Sequence, residues 1–158
     1  MEKVKIKLEG GYMPTKSSEF SAAYDLYCPH DVTVSYGRQV VDLAFRMELP
    51  HGKAALVQPR SGFSSKGIEV LRSTDGKKAE LFRLDADVLL GLVDEDYRGR
   101  VGVILKVNVQ SKATFVIPQG TRLAQMRIVD VPDVEFECVY ELDMSNDRGG
   151  GFGHSGAR

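Results

Sequence analysis

The chain has 158 residues, with 21 Lys and Arg against 22 Asp and Glu and a formal charge of -1. That length suits one domain with a real core, and the near-neutral balance gives no electrostatic footprint for a nucleic-acid backbone or an anionic membrane. Cys28 and Cys138 are too few for a disulfide framework and lack the paired Cys/His spacing of a zinc site.

The opening stretch MEKVKIKLEGGYMP alternates, with Val4, Ile6 and Leu8 on one face. This predicts a strand and leaves no apolar core for a signal peptide. No later apolar run approaches a membrane span, so the expectation is a cytoplasmic protein with neither nucleic acid nor membrane as partner. SAAYDLYCP is a strand-like run with one acid, Asp25, among apolar neighbours. Such an acid is either hydrogen-bonded structurally or faces the hydration shell of a metal. DVTVS predicts another strand through Val32 and Val34.

QPRSGFSSKG, Gln58 to Gly67, joins a guanidinium, hydroxyls and an ammonium in a loop. It is an ordinary polar turn or a cradle for phosphate oxygens, and it lacks the Walker spacing. LRSTDGKKAELFRLDAD is charged and holds a Thr-Asp-Gly turn signal. It reads as an inserted hairpin or loop at about 71–87, expected at the surface. GLVDEDYRGRVG places Asp94, Glu95 and Asp96 beside Tyr97 at the mouth of an apolar strand. The group is a solvated turn or, facing a ligand, a carboxylate that deprotonates water beside a ring that packs on a sugar. Strands are predicted for VGVILKVNV and TFVI, whereas GTRLAQMRIVD fits a short helix or a strand and embeds Gln125, a buried amide in need of partners. Short strands between Gly and Pro turns, with no long helix, argue for a sandwich, jelly roll or small barrel. The tail RGGGFGHSGAR contains a literal G-x-G-x-x-G from Gly151 to Gly156. That fingerprint holds a dinucleotide only where a helix follows, and two residues follow here. The tail is therefore a frayed end or an arm that brings Arg148 and Phe152 over a ligand.

Taken in order, SAAYDL, PRSG, VDEDYRG, GTRLAQM and RGGGFG resemble the five motifs of the homotrimeric dUTPases, from Lys5 to Gly156. The resemblance implies an all-β jelly roll or distorted β-barrel over 1–146, with the inserted segment, and a flexible arm over 147–158 that closes over a neighbouring subunit's site. It implies hydrolysis of dUTP at the α-phosphorus to dUMP and pyrophosphate with Mg2+. By the same resemblance Asp94 is the base; Arg60, Ser61 and Gly62 hold the phosphate chain; and the main chain around Leu92 and Val93 reads the base. Tyr97 then packs against deoxyribose, and Asp25 and Gln125 meet magnesium-bound water or the α-phosphate. Arg148, Phe152, Gly153 and Ser155 supply the lid, with the ring of Phe152 on uracil. Departures are visible, among them His154 where the family usually has Ser, a stretch after PRSG that is one residue short at Lys66-Gly67, and two further ones in spacing. Arg148 stands one residue nearer Phe152 than in the family's pattern, and 26 positions separate Ile68 from Asp94, a much longer crossing than the family usually shows. Rival readings are a dCTP deaminase, a regulatory nucleotide-binding protein on the same scaffold, and a jelly-roll module that binds no nucleotide. Val101 to Leu105 lack the carboxylate that a deaminase needs after the catalytic turn.

Overall fold

The computed structural model describes residues 1–151. In chain order the strands are β1 (Lys5–Leu8), β2 (Tyr24–Tyr27), β3 (Val32–Val34), β4 (Gly37–Glu48), β5 (Lys53–Gln58), β6 (Ile68–Ser73), β7 (Glu80–Leu84), β8 (Ala86–Leu89), β9 (Gly91–Val93), β10 (Arg100–Val107), β11 (Thr114–Ile117) and β12 (Arg122–Asp130). One short helix, α1 (Ser61–Lys66), interrupts them. The strands form three four-stranded antiparallel sheets, ordered β1-β4-β10-β8, β3-β11-β6-β7 and β2-β12-β5-β9. The fold is all-β, as expected, but none of these sheets closes on itself, so the barrel alternative gives way to separate sheets around one core.

Period-two burial drives the layout. In β10, Val101, Val103, Leu105 and Val107 are buried while the residues between them are half-buried. They join Leu26, Leu43, Phe45, Val70, Leu84, Ile117 and Leu123 in a single cluster. Burying such side chains contributes about 1.5–3 kcal/mol each. The long β4 breaks the alternation at Ala44, which has a positive φ of 54°. Asp42 Oδ1 accepts from the Ala44 amide, while the Ala44 carbonyl accepts from both Glu9 and Gly11. Gly11 lies so close to this bulge that an added Cβ would sit 2.1 Å from the Leu43 carbonyl oxygen.

The structure settles three ambiguous stretches. GTRLAQMRIVD is strand β12, because β2 and β5 flank it on both edges. The polar stretch after β5 is a loop only in part, since Ser61 to Lys66 wind into α1 around buried Phe63. The charged stretch is a hairpin, but it spans β6 to β7 and is only half a surface feature. Its turn is exposed, whereas Val70, Leu84 and Ala86 are buried in the core. The last strand ends at Asp130, well before the expected boundary at 146/147, and residues 132–151 are exposed without joining a strand.

Candidate active site

The register of β12 between β2 and β5 brings Gln125 opposite both Asp25 and Gln58. Asp25 is 5% exposed and each of its two oxygens accepts a hydrogen bond from the protein. Oδ1 accepts from Arg60 Nε at 2.8 Å and Oδ2 from Ser17 Oγ at 2.6 Å, with Arg122 Nη1 3.6 Å from Oδ2. Burial alone would raise this carboxyl, but the bonds from Ser17 and Arg60 and the charges of Arg60 and Arg122 hold it below the usual value. Gln125 donates from Nε2 to the Pro59 carbonyl at 3.0 Å. Its oxygen is thereby left to accept from water or an ammonium. A cleft of about 310 Å³ runs over these groups, lined also by Gln58, Ser61 and Arg127.

The acidic turn takes a different form. Asp94 follows β9 in an exposed turn closed by the Tyr97 amide donating to its carbonyl. Glu95 is structural. Its Oε2 accepts from the Gly52 amide at 2.7 Å and its Oε1 lies 3.0 Å from His51 Nδ1, tying the turn to the β4–β5 connection. That pairing raises the His51 imidazole, and the Gly52 amide followed by His51 lowers the Glu95 carboxyl. Tyr97 folds its ring over Gly99, where an added Cβ would lie 2.3 Å from the hydroxyl oxygen, and donates to the Arg100 carbonyl at 2.9 Å. Beside the turn is a second cleft, of about 390 Å³, lined by Asp94, Asp96, Lys53 and Asp133.

Strand β9 pairs with β5 through Val93 opposite Ala55, Leu92 opposite Leu56 and Gly91 opposite Val57, and stands at the edge of its sheet. An edge strand has one row of backbone N–H and C=O groups without strand partners, a template for hydrogen bonding. The hairpin of β6 and β7 lies in another sheet and leaves the pairings of β8 with β10 and of β9 with β5 in place.

The structure thus brings Asp25, Arg60, Ser61 and Gln125 together, with Gly62 next to them in α1, and places Asp94, Leu92, Val93 and Tyr97 apart from them. From Ala55, opposite Val93, to Gln58, opposite Gln125, β5 advances about 10 Å at ~3.3 Å per residue. Arg148 is exposed and bonded to none of these residues, while Phe152, Gly153 and Ser155 lie outside the described residues. Two contributors escaped the sequence reading. Ser17 sits in an irregular stretch with no periodic signal. Arg122 stood within GTRLAQM, and only its strand character puts it beside Asp25. Among the described residues no group of three or more His, Cys, Asp or Glu side chains is positioned to hold a metal ion.

Residues 10–76 and 79–156 match the family model described as dUTPase. The deoxyuridine 5'-triphosphate nucleotidohydrolase of Rabbitpox virus (strain Utrecht) is 39% identical over 147 residues, covering 92% of this chain and 86% of the relative. The enzyme of the same description from Vaccinia virus (strain Copenhagen) is 37% identical, with 92% and 86% covered. Among solved structures, a mutant dUTPase of Staphylococcus bacteriophage 80alpha with dUpNHpp superposes with a TM-score of 0.76 at 21% identity, covering 99% of each chain. A mutant dUTPase of S. aureus phage phi11, described with a structural Mg(II) ion, gives 0.70 at 23% identity, covering 89% of this chain and 98% of that one. At these identities the structures establish the fold.

Proposed function

The chain belongs to the dUTPase family, and from that premise we propose that it hydrolyses dUTP at the α-phosphorus, releasing dUMP and pyrophosphate, from sites that several copies of the chain complete together. The observation that carries this reading is the cleft of Asp25, Arg60, Ser61 and Gln125, mostly polar and built around a buried, paired carboxylate.

Arg60 and Ser61 bind the phosphate chain there. Arg60 is preoriented by Asp25, so its fork is set before substrate arrives. Asp94, exposed beyond β9, takes the proton of the attacking water. The free edge of β9 at Leu92 and Val93 pairs with the uracil edge, and an analogue with reversed donors leaves buried groups unpaired. Tyr97, braced on Gly99, packs against the sugar and crowds a 2'-hydroxyl. Arg60 and Arg148 offset the charge that develops on the departing pyrophosphate.

For Mg2+ the donors present fit an outer-sphere arrangement. Both Asp25 oxygens already accept from the protein and Gln125 supplies a neutral oxygen, a set suited to the hydration waters of an ion that dehydrates reluctantly. When bound with the nucleotide, the ion supplies charge neutralisation on the phosphate oxygens.

The division of the site argues for assembly, as a homotrimer by the family's pattern. Asp94 and the Asp25 group line different clefts of one chain, and the exposed segment after β12 carries Val134, Phe136, Tyr140 and Leu142 with no apolar partner in its own core. Exposed apolar groups in such number mark an interaction surface. The free cysteines fit a cytoplasmic setting, and among the described residues no helix is long and apolar enough to cross a membrane.

The test is pyrophosphate release with Mg2+ from dUTP, dCTP, dTTP and UTP, compared by kcat/KM. A strong preference for dUTP establishes the reading; turnover of none removes it.

A further inference from the structure

The β6–β7 hairpin presents two different faces. Phe82 stacks on Phe115 with ring centroids 5.6 Å apart and Leu84 is fully buried, so these alternate positions of β7 face the core. Leu81 and Arg83 occupy the other face, as strand alternation requires, and line a cleft of about 350 Å³ beside α1. This cleft shares Arg60 with the Asp25 cleft and adds Lys66, Arg83 and Arg122. Four cations therefore converge on one opening whose own lining contributes a single carboxylate, Glu69.

Arg60 is already held by buried Asp25 at 2.8 Å, but the partners of the other three cations are weak. Arg83 Nη2 stands 3.7 Å from Glu69 Oε2, opposite it in the hairpin register, with both side chains more than half exposed. Arg122 reaches Asp25 only at 3.6 Å, and Lys66 makes no ion pair with a described residue. Pairs this loose contribute little, so Arg83, Arg122 and Lys66 are available to a better acceptor beside Arg60. Condensed phosphates are such acceptors, because they offer several charged oxygens at the spacing of a guanidinium fork.

We propose that the β6–β7 hairpin completes an anion subsite contiguous with Arg60, which takes a condensed phosphate: the terminal diphosphate of the nucleotide, or the pyrophosphate set free from it. The identity of the nucleotide rests on the function proposed above; the cation geometry does not. Arg83 is the residue the hairpin contributes for this purpose, with Leu81 as an apolar wall.

Inorganic pyrophosphate is titrated calorimetrically into full-length wild type, Arg83→Ala and Arg83→Lys, with dUTP turnover measured on the same preparations. Loss of one partly exposed, charge-assisted contact predicts about tenfold weaker pyrophosphate binding in Arg83→Ala and a smaller loss in Arg83→Lys. It also predicts a raised KM for dUTP with kcat within about twofold, the pattern of a lost ground-state contact. Equal pyrophosphate affinity in wild type and Arg83→Ala overturns the subsite, whether or not dUTP is hydrolysed. A wild type that binds pyrophosphate through Arg83 but leaves dUTP intact upholds the subsite and removes the proposed function.

Discussion

Asp25 is expensive to bury and is kept charged by what surrounds it. Ser17, Arg60 and Arg122 more than offset its desolvation, so its folded pKa lies below the ordinary 3.8. A depressed carboxyl contributes stability above its unfolded value and loses it as pH falls through the folded one. Asp25→Asn should therefore cost about 2 kcal/mol at pH 7, from the half-broken pair, and less at an acid pH below 3.8, where wild type is losing the same pairing. Denaturant melts at the two pH values measure this. Asp94→Asn bears on catalysis instead. It keeps the exposed turn and removes the base, so turnover should fall about 10²- to 10⁴-fold with nucleotide binding and melting temperature nearly unchanged; undiminished turnover would reject Asp94 as the base. At this scale much of the site was legible. An acid in an apolar run, PRSG and an amide in a strand each stand out by type against their neighbours. Ser17 and Arg122 did not, because their parts follow from register, which no single stretch encodes.

A turn's shape can depend on an element distant in sequence. The β9–β10 turn is fastened to the β4–β5 connection by Glu95, which accepts from the Gly52 amide and pairs with His51. The imidazole's folded pKa is raised above 6.5, with Glu95 the main cause and Asp133 a further one. The His51 share of the staple is thus fully present below pH 6.5 and is lost as pH rises through the higher folded value. His51→Gln should flatten the decline in melting temperature between pH 6 and 8 that wild type shows, while the Gly52 bond persists in both proteins. Identical pH profiles would mean that the pair contributes nothing. The alternating strands β10 and β11 were readable because each has one buried face, whereas in β1 only Ile6 is half-buried and Leu8 is exposed. The twelve-residue β4 was harder, since its bulge at Ala44 breaks the period, and α1 was hidden by turn-forming residues that wind only around Phe63. The hairpin's turn was plain in Thr-Asp-Gly, but its burial was not, because Val70 and Leu84 reach the core only through pairing with sheet neighbours.

The whole chain leaves two things incomplete: the proposed base, Asp94, stands apart from the cleft of Asp25 and Arg60, and an apolar segment after Asp130 has nothing of its own to cover. One assembly resolves both if that segment lies on another copy while its end reaches that copy's neighbour. The two parts of the C-terminal region then have separable roles. Residues 131–148 carry Val134, Phe136, Val139, Tyr140 and Leu142, exposed in the single chain and large enough to hold copies together. The stretch from Gly149 onward is rich in glycine, carries one large apolar side chain, Phe152, and has little to contribute to a core. Deleting 149–158 should leave the sedimentation velocity of the assembly unchanged and reduce kcat/KM for dUTP by about 10²-fold or more, the scale expected when a closing segment no longer orients bound substrate. Deleting 131–158 should instead shift sedimentation toward a single chain at low micromolar concentration. If the shorter deletion also dissociates the protein, the glycine-rich end is part of the interface and its role as a lid fails. If the longer deletion stays assembled, copies are held through the sheets, and the exposed apolar residues after Asp130 require another partner.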